Sequence, residues 1–126
     1  MNIGGKRVLI TGGSSGIGLA LARELLARGA KVAISGRRAD VVAQAVRTLQ
    51  SKNAEIHGIV ADVATADGRT VTLEKAIVAL GGLEILVNNA GGVRAGRLEN
   101  VHEAELVAMI NVDLTAPILL TRAALP

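Results

Sequence analysis

The stretch Arg7–Gly29, RVLITGGSSGIGLALARELLARG, decides the fold. It opens on Arg7-Val8-Leu9-Ile10, a short run of branched aliphatics that reads as a buried strand. Thr11-Gly12-Gly13-Ser14-Ser15-Gly16-Ile17-Gly18 follows, and then a segment in which Ile17, Leu21 and Leu25 recur at helical spacing. Gly29 stands where a C-terminal glycine closes a helix. A glycine-rich turn between a strand and a helix is the setting of a phosphate-binding loop. Bare backbone lets a ligand approach closely, and the start of a helix offers free N–H groups and a partial positive charge to a pyrophosphate. Gly18 would let the helix pack close to the strand. An ordinary glycine-rich turn is the alternative reading of this loop taken alone.

The same alternation continues outward. Lys31–Ser35 is a second strand, and Asp40 is placed to cap a second helix with Val42, Ala45, Val46 and Leu49 on one face. A third strand covers Glu55–Ala61. A third helix follows Thr65, buries Leu73, Ile77 and Leu80, and ends at Gly81-Gly82; Leu83–Val87 is a fourth strand. Asn100 and Glu103 make a capping-box-like start to the last helix. That helix is amphipathic through Leu106, Met109 and Ile110, then apolar almost all round from Leu114 to Leu125. A helix apolar on every side is expected to be buried, under more chain or against another subunit. Pro117 should bend it or shift its pairing, since proline lacks a backbone donor. Right-handed crossovers turn a βαβαβαβα order into a doubly wound parallel sheet with helices on both faces, here a single domain over residues 1–126.

Composition narrows the function. Half of the 126 residues are hydrophobic, with no Phe, Tyr or Trp, so the core is built of small and branched aliphatics, as suits a buried parallel sheet. The net charge of +3 is modest and scattered, and no aromatic is present to stack on bases; nucleic acid is not an expected partner. Absence of Cys excludes disulfides and thiolate metal sites, and His57 and His102 stand far apart, so no metal site is expected. The N-terminal segment lacks a signal-peptide core, and no apolar stretch reads as long enough to span a membrane; a soluble cytoplasmic protein without a membrane partner is expected.

The loop spacing is G-x-x-x-G-x-G, and with Thr11 before it resembles the short-chain dehydrogenase/reductase family. Asp62-Val63 after the third strand, Asn88-Asn89-Ala90-Gly91 after the fourth and Asn111 in the last helix match the same family in order. The resemblance runs from Met1 to Pro126 but covers only the first, cofactor-binding half of the family's fold. It implies a Rossmann-like sheet of strand order 3-2-1-4, truncated after the fourth βα unit. It also implies a nicotinamide dinucleotide held by Thr11, Gly12, Ser14, Ser15, Gly16, Ile17, Gly18, Asp62, Val63, Asn89, Ala90 and Gly91. Asp62 would contact the adenine amino group, or else only cap its loop. Asn88 and Asn89 would either fix the central sheet or face the cofactor.

The second strand ends Ser35-Gly36-Arg37-Arg38, with Gly36 where an NAD-preferring relative has an acid for the ribose 2′-OH. Arg37 would offer a planar fork to a 2′-phosphate, with Arg38 beside it and a hydroxyl from Ser14, so NADP(H) is favoured over NAD(H). Asp40 is near enough to soften that charge. The family's hydride transfer between nicotinamide and a carbonyl or alcohol uses Ser, Tyr, Lys and Asn. Only the Asn, Asn111, is matched, and Asn111 would either support a water relay or merely bend its helix. Tyr occurs nowhere, and neither Ser nor Lys follows Asn111. The chain is therefore expected to be inactive as it stands. It reads as a piece of a larger reductase, or as a non-catalytic nucleotide-binding remnant or pseudoenzyme that associates with another chain. Strand four would then be a long, flat apolar edge. By the resemblance, a homo-oligomer through the last helix, 102–125, is expected.

Overall fold

A computed structural model of the chain describes residues 2–91 and 97–125; the outer limits of the expected domain, Met1 and Pro126, lie outside the described residues. Four parallel strands, β1 (Arg7–Thr11), β2 (Lys31–Gly36), β3 (Glu55–Val60) and β4 (Ile85–Val87), form one sheet in the order β3-β2-β1-β4. β1 sits between two neighbours, with Ile10 opposite Ile34 on one side and Val87 on the other. Fully buried Val8, Leu9, Ile10, Val32, Ala33 and Ile34 explain why these strands read as unbroken apolar runs: both faces are covered.

Side chains alternate between the two layers. Val8, Ile10, Val32, Ile34 and Ile56 pack beneath α1 (Gly16–Ala27) and α2 (Ala39–Leu49), against Ala22, Ala45 and Leu49. Leu9, Ala33 and Ile59 face the other way, against Leu73, Ala76 and Leu80 of α3 (Ala66–Leu80). α1 ends as its sequence requires, with Gly29 at φ 86° and paired amides, Gly29 N–H to Leu26 O and Ala30 N–H to Leu25 O. α3 starts at Thr65, whose hydroxyl accepts the Gly68 N–H at 2.9 Å.

Several expectations are corrected. Ile17 is 81% exposed, because the buried line of α1 runs through Gly18 and Ala22. Ile77 is 42% exposed, and α3 buries Gly68, Thr72 and Ala76 beside Leu73 and Leu80. Arg38, not Asp40, is the N-cap of α2; Asp40 lies in its first turn. β4 has three half-buried residues, so the edge beside it is short rather than long. Asn100 belongs to a 3-10 turn, Leu98–Asn100, and the last helix starts from His102 without a side-chain cap. No capping box forms there.

That last helix has two parts, α4 (Glu103–Ile110) and α5 (Ala116–Ala124), joined by the π-helical turn Asn111–Thr115. The Ala116 N–H reaches five residues back to Asn111 O, immediately before Pro117. Pro117 has no N–H to offer, and the register slips by one residue beside it. Glu103–Ala124 is also long and apolar enough, at 22 residues and hydropathy 1.5, to cross a membrane by length and composition, contrary to the sequence expectation. Yet Ala116 and Leu120 are buried with Val63, against Leu86 and Ala90, so α5 is a layer of this α/β fold. Burial is one-sided, however: Leu114 and Ile118 are each 58% exposed.

Candidate functional site

The carboxyl ends of all four strands open on one cleft of about 590 Å³. Its floor is set by Thr11, 1% exposed at the end of β1. The Thr11 hydroxyl accepts the N–H groups of Asn89 and Ala90, both at 3.1 Å, which fastens the segment after β4 to the end of β1. The Asn89 amide donates back to Gly12 O at 3.0 Å. Two strand ends and the glycine loop are thus one hydrogen-bonded unit, and the loop has little freedom left.

Glycine is required there for two separate reasons. Gly12 has φ 67°, which L side chains rarely adopt, and a Cβ on it would meet Ala90 Cα at 2.8 Å. Gly18 is buried, and a Cβ on it would collide with the Asn89 amide and with Gly12 O. Above this unit the first turn of α1 is open. Ser15 is its N-cap but makes no side-chain cap hydrogen bond, and Ser15, Gly16 and Ile17 are exposed. The first N–H groups of any helix lack intrahelical partners. Among the described residues no side chain caps them, and they stand at the cleft with the positive end of the helix dipole. A diphosphate is the chemistry that such an end accepts.

The structure brings most of the expected residues together. Gly12, Ser14, Ser15 and Ile17 line the cleft on the loop side; Arg37 and Arg38 line it beyond β2, Asp62 and Val63 beyond β3, and Asn89, Ala90 and Gly91 beyond β4. Thr11, Gly16 and Gly18 build the cradle without lining it. Arg37 and Arg38 are exposed and, among the described residues, their side chains make no ion pair or hydrogen bond, with Asp40 or any other group. Asp62 caps its loop, one carboxylate oxygen accepting the Ala64 N–H at 2.9 Å, and it also lines the cleft. The asparagines divide the work. Asn89 holds the loop, whereas Asn88 turns away and donates to the Thr121 hydroxyl at 3.1 Å, docking α5 on the end of β4. Asn111 does not line the cleft; it begins the π-helical turn and its carbonyl takes the Ala116 N–H.

Glu105, Ala108, Met109 and Val112, from α4 and the π turn, close the far wall, and Val41 and Ala61 complete it near the arginines. Sequence reasoning missed all six. Val41 and Ala61 adjoin recognised motifs, a usable signal; the helix residues carry none, because only the tertiary fold brings them over the strand ends.

The profile of the short chain dehydrogenase family matches residues 6–126. The chain belongs to that family. It is 37% identical over 122 residues to dehydrogenase/reductase SDR family member 4 of Pongo abelii, a match covering 96% of this chain and 44% of the relative. A short chain dehydrogenase from Burkholderia cenocepacia, solved in complex with NADP, superposes with TM-score 0.90 at 38% identity, covering 98% of this chain and 51% of the other. L-sorbose reductase from Gluconobacter frateurii, complexed with NADPH and L-sorbose, gives TM-score 0.85 at 31% identity, covering 97% and 48%. This short-chain dehydrogenase chain therefore spans about half the length of the relatives it matches, and its four-stranded sheet is the Rossmann-like part of a family of NAD(P)-binding oxidoreductases.

Proposed function

We propose that the chain is the dinucleotide-holding part of an NADP(H)-dependent reductase, with the diphosphate on the uncapped first turn of α1. That open turn, fixed over the ends of β1 and β4 through Thr11 and Asn89, is the observation that carries the reading. The residues fit the group: the cleft runs from the loop to the arginines, and Gly12 and Gly18 let the loop pack closely on the segment after β4. Arg37 and Arg38 supply fixed positive charge for a 2′-phosphate, with Ser14 beside them and no acid at position 36 to compete. Two of the similar structures are NADP or NADPH complexes, which supports the same preference.

A bound nicotinamide dinucleotide supplies hydride exchange with a carbonyl or alcohol. This chain supplies binding and orientation. It contains no Tyr to move the proton at the reacting oxygen, and Asn111 lies off the cleft lining, so the 126 residues alone are proposed to bind without turnover. The exposed apolar side chains Val107, Ile110, Leu114 and Ile118 favour an association through α4 and α5, with a second copy as the proposed occupant. Light scattering on Leu114→Glu should then report a smaller species than wild type.

The nucleotide preference is tested by fluorescence titration of Arg37→Glu. Reversing a charge beside the 2′-phosphate should weaken NADPH by about tenfold or more and leave NADH nearly unchanged. Equal losses for the two nucleotides contradict the assignment. Carbonyl reduction by the purified chain contradicts the proposed lack of turnover.

A further inference from the structure

Position 36, at the end of β2, is glycine for want of space rather than for backbone freedom. Its φ is not in the left-handed region. A Cβ there would stand 2.8 Å from the Ser14 hydroxyl oxygen and 3.0 Å from Cγ2 of Val42. The two obstacles differ in kind. The hydroxyl of Ser14, a half-buried residue at the cleft, swings away about a single torsion. Val42 does not give way so easily: it is 3% exposed on α2, and a β-branched side chain in a helix has one strongly preferred rotamer. Its other methyl lies over Gly58 on β3, where a Cβ would stand 2.8 Å from Val42 Cγ1 and 2.9 Å from Val46 Cγ2, so the two methyls of Val42 fill the space that side chains at 36 and 58 would need.

We propose that Val42 is a positioning residue for nucleotide choice: from behind the strand it holds position 36 to glycine and so keeps out the carboxylate that would grip a ribose 2′-hydroxyl. The inference rests on the nucleotide reading above and deepens it. In a dinucleotide site an acid at the end of the second strand selects NAD, and an arginine nearby accommodates the 2′-phosphate. Preference for the phosphate then has two sources in this chain. Arg37 attracts it, and Val42 denies its competitor the room to form. Val42 itself does not line the cleft and need never touch the ligand.

The test compares wild type, Gly36→Asp, Val42→Ala and the double variant by NADH and NADPH fluorescence titration and thermal melting. Gly36→Asp alone should lower the melting temperature and lose NADPH affinity without gaining NADH. Adding Val42→Ala should restore part of the melting temperature and raise NADH affinity about tenfold over wild type. Val42→Ala alone should soften the fold without changing the NADPH-to-NADH ratio. If Gly36→Asp by itself gains NADH as strongly as the double variant, the proposal is overturned. Wild type that binds neither nucleotide would instead refute the underlying reading. The packing claim is then decided by melting alone: Gly36→Ala must cost less in the Val42→Ala background, and equal cost in both backgrounds overturns it.

Discussion

The end of β1 and the long helix at the chain's C-terminal side are built in opposite ways. Around Thr11 the chain fastens itself: one buried hydroxyl receives two amides, one asparagine amide holds a loop carbonyl, and two glycines sit where a methyl would collide. Along Glu103–Ala124 only Ala116 and Leu120 are buried, while Leu114 and Ile118 face outward. The first region is shaped by its own chain before any ligand arrives. The second presents an apolar surface whose proposed occupant is another polypeptide. Preorganisation and exposure thus separate the part of the molecule that would bind a small molecule from the part that would bind a protein.

The largest expected effect comes from crossing that boundary on one helix. Leu120→Ala empties a site that is 1% exposed and should cost about 2–5 kcal/mol in denaturant unfolding. The same truncation at Leu114, on the outward side, should stay within about 0.5 kcal/mol for the monomer. Equal costs would mean that the outward face is packed and the contrast false. Next comes Thr11→Val, which keeps the shape but leaves the Ala90 amide without its acceptor and the Asn89 amide with Val87 O alone, for about 1–3 kcal/mol. It should also loosen the loop and weaken NADPH. Thr11→Ser, which keeps the oxygen, should retain most of both.

How much of this was legible in the sequence follows from the same contrast. The strands could be read because both faces of the sheet are covered, which turns β1, β2 and β3 into plain apolar runs. The glycine loop could be read because local backbone demands fix its residues. Helix faces are less legible, since a rule that reads burial from the size of an apolar side chain does not hold by itself. Ile17 fails that rule because it stands in the first turn at the cleft, and Ile77 fails because Gly68, Thr72 and Ala76 are small enough to bring α3 close to the sheet. Thr72 can be buried because its hydroxyl donates to Gly68 O at 2.6 Å. The cleft wall from Glu105 to Val112 was not legible at all, being a product of where the fold carries a distant helix.

The smallest expected effect lies at the end of the sheet opposite the cleft. There the Arg7 guanidinium bonds Glu84 at 2.8 Å and Gly81 O at 2.6 Å, joining β1, the end of α3 and the approach to β4. Hydrogen bonding from Arg7 lowers the Glu84 carboxyl from its ordinary 4.5 to about 2. A depressed carboxylate stabilises the fold fully above its unfolded pKa, and that stabilisation fades as pH falls from about 4.5 towards 2. Glu84→Gln should flatten the melting temperature across that acid range and leave nucleotide affinity unchanged. Lost affinity would show that the two ends of the sheet are coupled.

Backbone amide chemical shifts followed by NMR during NADPH titration address the open helix start most directly. A diphosphate seated there should move the Gly16, Ile17 and Gly18 amide signals most, saturably, with smaller shifts at Asn89 and Ala90. Saturable shifts concentrated elsewhere, or a first turn that stays still while NADPH binds, would contradict the diphosphate site at α1.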